Sequence, residues 1–361
     1  MSFQLPRRQV LLFLAAGALL AQTQRGLPPA RIEEIEKLIT EEMARQNIPA
    51  ISAAVATGGE LRWSNGYGMA DLENHVPAKA ATVYRLGSIS KPVTAVAVMQ
   101  LAERDRLDLD APVQKYVPSF PQKPWPISTR QLLGHLGGIR HYTNLVEVNS
   151  TRHYTNMLEP LKIFQDDPLV GEPGTRYSYT TYGYVLLGAV VEAVSGTKFT
   201  DYLADRIFRP AGMDRMRADN LYAIIPNRAR GYAKSPAGQL MNCDLADTSN
   251  KIPGGGLSST VDDLVKFALA LRRGALVKPE TVEQMFTPQK LRTGQPTDYG
   301  LGWVVREGEG HKQVSHGGGQ QGVSTVLTMW PREGVVVALM CNLERGGVSR
   351  LADRIGALLI P

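Results

Sequence analysis

Segments with the pattern of β-strands stand toward both ends of this chain, and a long irregular stretch separates them. Near the N-terminus, residues 51–57 and 60–67 flank a pair of glycines, which is typical of a β-hairpin. Toward the C-terminus, residues 300–306, 312–316, 323–330 and 334–341 alternate or run apolar in the manner of strands. We therefore expect one antiparallel sheet built from the two ends of the chain, with helices between and after its strands.

Helical patterns account for much of the sequence around those strands. Apolar residues recur at helical spacing over 31–46 and again over 348–359. Thr260 and Asp263 have the spacing of a capping box, with aspartate where glutamate or glutamine is usual, and Gly274 would end the helix that they open. These helices are expected to pack on the sheet.

The stretch between the two groups of strands has a different character. Over residues 108–252, prolines, glycines and tyrosines punctuate short helices such as 184–194. The predicted fold class is therefore α/β of the α+β type. Residues 31–107 and 253–361 would form the sheet domain, and residues 108–252 would form a mostly helical inserted domain.

The N-terminal residues 1–21 have the organisation of a signal peptide. Arg7 and Arg8 precede an apolar run from Val10 to Ala21 that ends in residues suited to cleavage. A run of about a dozen residues suits a signal-peptide core but is short for a membrane span, which needs about 20. We predict export to the periplasm or the extracellular space by the Sec route or, on a weaker signal, the twin-arginine route. Cleavage would leave no stable membrane span.

Charge and composition exclude several classes of protein. The chain of 361 residues has a net charge of +6, but no basic run interleaves with aromatic residues, so no nucleic-acid partner is expected. Its six histidines include no pair at helical ligand spacing, and the sequence predicts neither a metal site nor a cofactor. Residues 317–322 match the glycine pattern of dinucleotide sites, but a strand follows them where such a site requires a helix. Whether Cys243 and Cys341 pair stays open, as does the oligomeric state.

The spacing Ser-x-x-Lys occurs twice, and its context differs between the two positions. A chain of this length holds on the order of one such match by chance, so the spacing alone decides nothing. Ser195 and Lys198 follow an apolar helix that a glycine breaks, and their side chains need not share a face. Ser88 and Lys91 instead stand at the start of a helix, because the Pro92 that follows is tolerated only within a first turn.

A serine and a lysine three residues apart at a helix N-terminus can form an activated nucleophile. Their side chains lie side by side, and the positive end of the helix dipole stabilises a developing alkoxide on Ser88. Lys91, with an ordinary pKa of about 10.4, can take up a proton near neutrality only if it is desolvated or lies beside other charges. The apolar segment 95–99 could supply that desolvation. On these residues alone, a helix cap beside a solvated lysine is an equal alternative.

Two further clusters matter if they meet this serine. Tyrosines crowd residues 177–184, and Tyr179 beside a lysine ammonium could act as a general base, with packing as the alternative role. Residues 317–319 are three glycines that follow His316. They leave a strand edge bare, so a substrate backbone could approach closely, and a flexible turn with a surface histidine is the alternative.

Taken in chain order, these residues resemble the signature of the serine β-lactamase and penicillin-binding family, especially its class C, carboxylesterase and D-aminopeptidase branches. That signature is Ser-x-x-Lys, then Tyr-x-Asn, then Lys/His-Thr-Gly, and the resemblance covers about residues 31–359. The segments that carry it are Tyr84-Arg-Leu-Gly-Ser-Ile-Ser-Lys-Pro92, Gln131-Leu-Leu-Gly-His-Leu-Gly-Gly-Ile139, Pro173-Gly-Thr-Arg-Tyr-Ser-Tyr179, Gly254-Gly-Gly-Leu-Ser-Ser-Thr-Val-Asp-Asp-Leu264 and Tyr299-Gly-Leu-Gly-Trp303.

The resemblance implies a β-lactamase/transpeptidase-like fold and a role for each residue of the site. Ser88 would be the nucleophile that becomes acylated. Lys91 and Tyr179 would share the proton transfers, and either of them could be the base in acylation. Backbone N–H groups of Ser88 and Gly319 would form the oxyanion hole. A water molecule would then hydrolyse the acyl-enzyme.

Three positions depart from the family pattern on the substrate side. Thr181 stands where the family usually has asparagine, so the carboxamide that would bind an acyl-amide carbonyl is missing. His316 replaces a lysine, and Gly317 replaces a threonine whose hydroxyl helps to hold a β-lactam carboxylate. The resemblance places His316, mostly neutral at pH 7, on the sheet edge facing the pocket, and Thr181, Gly317 and Gly318 along the substrate.

The sequence thus predicts a secreted serine hydrolase that acts through an acyl-Ser88 intermediate on an ester or a D-amino-acid peptide or amide. Its partner would be a small-molecule or peptide substrate, including one derived from the cell wall. Turnover of β-lactams should be poor, because the anchor for an anionic lactam is weakened at two points. The alternatives are β-lactamase activity proper, or a non-catalytic relative that binds peptidoglycan or a protein. The composition of the loop 141–172 does not distinguish ester, peptide and lactam substrates.

Overall fold

A computed structural model describes residues 26–308 and 310–360 of the chain, so the predicted signal peptide lies outside the described residues. The helices are α1 (Pro29–Gln46), α2 (Ser90–Ala102), α3 (Thr129–Leu133), α4 (Leu145–Val148), α5 (Thr181–Ser195), α6 (Phe199–Leu203), α7 (Arg209–Ala211), α8 (Ile252–Gly255), α9 (Val261–Arg272), α10 (Pro279–Met285) and α11 (Val348–Leu359). Shorter helical turns are formed by Gly87–Ile89, Val113–Lys115, Glu159–Ile163, Ala204–Phe208 and Ser249–Lys251. The strands are β1 (Ala50–Thr57), β2 (Glu60–Asp71), β3 (Val76–Pro77), β4 (Tyr84–Arg85), β5 (Arg217–Ala218), β6 (Tyr232–Lys234), β7 (Leu240–Asn242), β8 (Leu257–Ser259), β9 (Val304–Gly308), β10 (His311–Gln320), β11 (Val323–Trp330) and β12 (Val335–Cys341).

A seven-stranded antiparallel sheet organises the structure, in the order β3-β2-β1-β12-β11-β10-β9. β1 and β12 pair along its centre, with Ile51 opposite Cys341, so segments from the two ends of the chain meet there. Gly58 and Gly59 close the β1–β2 hairpin with φ angles of 61° and 85°, values that glycine adopts without strain. The prediction of one antiparallel sheet built from both ends of the chain is confirmed.

Helices cover both faces of this sheet, which explains why its central strands are buried and mostly apolar. Every residue of β11 and β12 is buried. On one face, α1 and α11 contribute residues such as Ile39 and Leu351 to a core with β1 and β12. On the other face, α2, α5 and α9 form a larger core. Nearly all of α2 is buried, and this helix carries the first residues of the site into the interior.

One predicted strand is shorter than the sequence suggested. The strand expected at 300–306 begins only at Val304. Gly302 has a φ angle of 90°, and the Gly300 N–H donates to the carbonyl of Trp303 at 2.8 Å. These residues therefore form a turn before the strand, because a left-handed φ angle interrupts an extended backbone.

Two elements that lead to the site are longer than predicted, as is β2, which continues from the predicted 60–67 to Asp71. The strand expected at 312–316 continues as β10 through the glycine triplet to Gln320, because the glycines pair with β11 along their whole length. The helix expected at 184–194 begins earlier, at Thr181, because the side chain of Thr180 caps its first turn. Both extensions matter for function, since they bring strand edge and helix N-terminus to the same region.

The stretch 108–252 carries the short helices α3 to α7 together with the strands β5 to β7. β5 pairs with β8, which in turn pairs with β4, so a small second sheet ties this stretch to its flanking segments. The mixed content of helices and antiparallel strands agrees with the predicted fold class. The domain boundaries at 107/108 and 252/253 stay a prediction.

Other properties concern the residues that the structure describes. Cys243 and Cys341 are both free thiols, the second of them buried. No helix in the described ranges is both long and apolar enough to cross a membrane. The same ranges contain no cluster of histidine, cysteine and acidic side chains that could hold a metal ion.

Candidate active site

Ser88 lies in the 3₁₀ turn Gly87–Ile89 that connects β4 to α2. Gly87 has a φ angle of 53°, and a Cβ atom added to it would lie 2.8 Å from the backbone nitrogen of Gly319. Only glycine therefore lets this turn approach β10 so closely. The Ser90 hydroxyl donates to the Gly87 carbonyl at 2.8 Å and holds the turn in place. The sequence predicted that Ser88 opens a helix, and α2 in fact begins two residues later.

Lys91 is fully buried in the first turn of α2. Its Nζ lies 3.1 Å from Ser88 Oγ, 3.2 Å from Thr181 Oγ1 and 2.7 Å from the carbonyl oxygen of Gly254. Burial lowers the pKa of Lys91 well below its ordinary value, and the neighbouring Lys251 lowers it further. In its neutral form this amine would donate to Thr181 and Gly254 and would have its lone pair free for the Ser88 hydroxyl. The desolvation that the sequence required of Lys91 is present.

Tyr179 reaches the same serine from the loop before α5. Its ring centroid lies 4.7 Å from Lys91 Nζ. Burial raises the pKa of Tyr179 above its ordinary value, and a hydrogen bond with Ser88 partly opposes this effect. Tyr179 is therefore a phenol, and a proton donor, at neutral pH. His135 supports it, with ring centroids 4.3 Å apart and with its carbonyl accepting from the Ser178 N–H at 2.9 Å.

The edge of β10 passes beside the serine. β9 pairs with β10 only as far as Ser315, so one edge of β10 is free beyond that point. Gly318 lies so close to the preceding segment that a Cβ atom on it would be 2.0 Å from the Leu86 carbonyl oxygen. Gly319, in contrast, has open space where a Cβ would stand. Ser88 and Gly319 line one cavity, so the two residues predicted to form the oxyanion hole lie together.

His316 lies in the interior and not on the wall of the cavity. Its Nδ1–H donates to the Gly317 carbonyl at 2.6 Å, and its Nε2 accepts from the Tyr299 hydroxyl at 2.9 Å. Burial and then Lys91 lower the pKa of His316 to about 3, so the ring is neutral at pH 7, as predicted. The sequence led us to expect that His316 faces the pocket. In the structure it faces inward, because both ring nitrogens have protein partners there.

The remaining predicted substrate contacts separate into two groups. Thr181 lines the cavity and occupies the position of the absent asparagine, where its hydroxyl bonds to Lys91 and its N–H donates to His141 Nδ1 at 3.2 Å. Gly317 and Gly318 lie outside the cavity lining. A Cβ on Gly317 would have the Ser349 hydroxyl as its nearest neighbour, at 3.7 Å, so the space for a larger side chain is open at that point.

The cavity at Ser88 has a volume of about 100 Å³, and residues that the sequence did not single out line part of it. Burial and then Lys91 lower the pKa of His141 to about 4, and burial lowers the pKa of Lys251 to about 8. His141 follows the motif segment 131–139 by two residues, and Lys251 precedes the glycine segment at 254. Their positions beside motif segments were the signal that could have found them. The residues in question are His141, Tyr142, Lys251 and Gln320.

Known proteins are similar to this chain in sequence and in fold. A family model described as Beta-lactamase matches residues 35–360. The serine beta-lactamase-like protein LACTB, mitochondrial, of Homo sapiens is 31% identical over 90% of this chain and 79% of that protein. Penicillin-binding protein 4* of Bacillus subtilis is 30% identical over 80% of this chain and 67% of its own length. The structure of the octameric penicillin-binding protein homologue from Pyrococcus abyssi has a TM-score of 0.80 and 29% identity, covering 91% of this chain and 77% of that one.

The family match spans the whole central sheet and every segment that brings a side chain or backbone group to Ser88. The order of those segments along the chain is also the order that the signature of the family requires. Because the match extends over nearly all of the described residues, the chain belongs to the beta-lactamase family of serine hydrolases.

Proposed function

We propose that this protein is a secreted hydrolase that forms an acyl-enzyme at Ser88 with a small ester or a D-amino-acid peptide or amide. The observation that carries the proposal is the 3.1 Å approach of Lys91 Nζ to Ser88 Oγ, with the amine fully buried. Among the described residues, burial and Lys251 shift the pKa of Lys91, and no carboxylate opposes them. A buried amine without a counter-ion accepts a proton from the serine hydroxyl, which a solvated ammonium cannot do.

Acylation begins with Lys91 as the general base. Lys91 Nζ takes the proton of Ser88 while Ser88 Oγ attacks the carbonyl carbon of the substrate. Negative charge develops on the carbonyl oxygen, where the N–H groups of Ser88 and Gly319 would stabilise it by about 3 kcal/mol per donor. Tyr179 gives its proton to the departing oxygen or nitrogen and recovers one from Lys91, so the leaving group departs neutral.

Deacylation reverses these roles. A water molecule enters the space vacated by the leaving group, beside Tyr179. The Tyr179 and Lys91 pair takes up a proton from this water, whose oxygen attacks the ester carbonyl of the acylated Ser88. The released acid leaves, Ser88 Oγ regains its proton, and the site returns to its initial state.

The preference for esters and amides over β-lactams rests on the β10 edge. His316 is neutral there and both of its ring nitrogens are occupied, while Gly317 has no hydroxyl. A lactam carboxylate would therefore lose a charge-assisted hydrogen bond, worth about 1.5–3 kcal/mol, or about a 10–100-fold loss in binding. Turnover of a chromogenic cephalosporin should be slower than that of a short 4-nitrophenyl ester. Faster turnover of the cephalosporin would overturn this substrate assignment.

A fluorophosphonate probe tests the acyl-serine itself. We expect the wild-type protein and the Ser195→Ala variant to be labelled and the Ser88→Ala variant to be unlabelled, with mass spectrometry locating the adduct on residue 88. Intact, folded wild-type protein that resists the probe and hydrolyses no ester would contradict the proposal. That outcome would favour a non-catalytic relative that uses the cleft only for binding.

Export is a separate part of the proposal. The signal-peptide pattern of residues 1–21 supports it, and cleavage after Ala21 would give a mature chain that begins at Gln22. N-terminal sequencing of the protein from a periplasmic or culture fraction tests this assignment. A protein recovered only from the cytoplasm with an intact N-terminus would contradict it.

A further inference from the structure

Lys251 is a second buried lysine at the cavity of Ser88, and the mechanism above does not use it. Its side chain is 2% exposed, and it lines the cavity from the turn before α8. Its Nζ donates to the Val148 carbonyl at 2.7 Å and lies 5.3 Å from the centre of the Tyr142 ring. A protonated lysine has three N–H donors, so two of them are left for another partner.

The charge of Lys251 has no close counter-ion among the described residues. Asp247 is the acidic group that raises its pKa, but that carboxylate is held by His153 and by the backbone N–H of Ser249. Burial and Arg85 outweigh it and lower the pKa of Lys251 to about 8, which still leaves the amine mostly protonated at pH 7. A buried ammonium that faces a cavity without a compensating anion is a ready site for an anionic group.

Other N–H donors line the same cavity. Gln320 Nε2 is buried and has no hydrogen-bond partner. His141 accepts from the Thr181 N–H at Nδ1, so the proton of its neutral ring stands on Nε2. Gln321 leaves one bare acceptor, Oε1, in the wall. Donors thus outnumber acceptors around this space, which favours an anionic occupant with several oxygen atoms.

The cavity lies on the acyl side of the reacting bond. Tyr179 hands its proton to the leaving group, so the leaving group must lie against Tyr179. Tyr179 does not line the cavity, whereas Ser88, Gly319 and Lys251 do. The part of a substrate that enters the cavity beyond the oxyanion hole is therefore the acyl group.

We propose that Lys251, together with Gln320, binds a carboxylate on the acyl part of the substrate, so that this enzyme hydrolyses monoesters or monoamides of short dicarboxylic acids. The inference rests on the proposed acyl-enzyme at Ser88 and names the class of acyl group that this site accepts. Hydrogen bonds from a desolvated ammonium to a carboxylate are about twice as strong as neutral ones. A preference of about 10–100-fold in kcat/KM over an uncharged acyl group of the same length is expected.

Three 4-nitrophenyl esters of matched length test the inference: the adipate monoester, the hexanoate and the 6-aminohexanoate. They place a carboxylate, a methyl group and an ammonium near the same position. We expect the wild-type kcat/KM to be largest for adipate and smallest for 6-aminohexanoate. Because Lys251 also affects the pKa of Lys91, the decisive quantity in variants is the adipate-to-hexanoate ratio and not the absolute rate.

In the Lys251→Met variant this ratio should fall to about one, and in Gln320→Leu it should fall by a smaller factor. The exposed Lys198→Met variant is the matched control and should keep the wild-type ratio. An unchanged ratio in a Lys251→Met protein whose Ser88 is still labelled would overturn the inference and leave the hydrolase assignment intact. If the wild-type protein is not labelled at Ser88 and hydrolyses none of the three esters, the proposed function itself is overturned. If Lys251→Met does not fold, an unchanged ratio in Gln320→Leu would overturn the inference.

Discussion

Two segments of this protein share the spacing Ser-x-x-Lys and have opposite surroundings. Lys91 is buried and Ser88 is half-buried at the cavity, and Lys91 Nζ lies 3.1 Å from Ser88 Oγ. Ser195 is the last residue of α5, and Lys198 is exposed beyond it. The Ser195 hydroxyl bonds to the backbone of Thr197 in place of the lysine. In the proposed mechanism, the same two residue types form a nucleophile and a base only where the fold removes water from the amine.

The position of each motif on its helix explains the difference. Gly196 has a φ angle of 69° and ends α5, so the chain turns away before Lys198 can lie beside Ser195. Ser195 also stands at the negative end of its helix dipole, which disfavours an alkoxide. Ser88 and Lys91 begin a helix that runs into the core, and both the dipole and the desolvation act in favour of reaction.

Substitution of the two lysines should give the largest difference in activity between the motifs. Lys91→Met removes the general base, and we expect kcat/KM for a short ester to fall about 1000-fold, within the usual range for such groups. The exposed Lys198→Met should retain wild-type kinetics. In the wild type, activity should decline as the pH falls through the pKa of Lys91, which lies below the ordinary lysine value. A Lys91→Met protein with wild-type activity and the same acid limb would point to Tyr179 as the base.

Substitution of the glycines beside the two serines should give the second-largest difference between the motifs. Alanine at position 87 would bring a Cβ within 2.8 Å of the Gly319 nitrogen, which displaces one oxyanion donor from the other. We expect Gly87→Ala to lower kcat about 100-fold, as loss of such a donor does elsewhere. At Gly196 no atom lies within 4 Å of an added Cβ, so the left-handed φ angle is the only source of strain for an alanine there. Gly196→Ala should cost about 1 kcal/mol of stability in a thermal melt and leave kcat unchanged. Equal kcat values for the two variants would break the comparison.

The smallest effect concerns the acid stability of the interior site. His316 has a folded pKa of about 3 and an ordinary value of 6.5, so between these values the unfolded chain binds a proton that the folded one does not. Stability should therefore be fully present above pH 6.5 and fall as the pH drops toward 3, by up to about 1.4 kcal/mol per pH unit for this histidine. Urea unfolding of the wild type and His316→Gln at pH 7.5 and pH 5 checks this. A loss of stability in the variant as large as in the wild type would contradict the assignment.

Local patterns were enough to predict the parts of the fold whose residues contact one another over short distances in sequence. β11 and α11 have the predicted bounds, because a strand rich in β-branched and apolar residues and a regular helical spacing leave little choice. The pairing of Ser88 with Lys91 followed from a motif within one turn of chain. The predicted role of Tyr179 in proton transfer depended on the family signature. The contact of Tyr179 with Ser88 supports that role, which stays a prediction.

Contacts between distant segments could not be predicted in this way. The inward position of His316 depends on the Tyr299 hydroxyl, which lies 17 residues earlier, in the loop before β9. The place of Lys251 depends on Val148, which lies 103 residues earlier in the chain. Such pairs leave no periodic signal in a single sequence, because neither partner alone carries a pattern that points to the other.

The sheet that joins segments from both ends of the chain also determines when, during synthesis, the active site can assemble. During synthesis, the hairpin of β1 and β2 and the serine turn emerge early, while β12, the central partner of β1, emerges late. Until then β1 has only β2 as a neighbour, and the strands β9 to β11, which include the second oxyanion donor, are not joined to β1. Pairing of such distant segments is slow because a long loop must close first. Hydrolytic activity therefore requires the completed sheet. A chain that ends before residue 335 would contain Ser88 and Lys91 but would lack β12, and we expect it to be inactive.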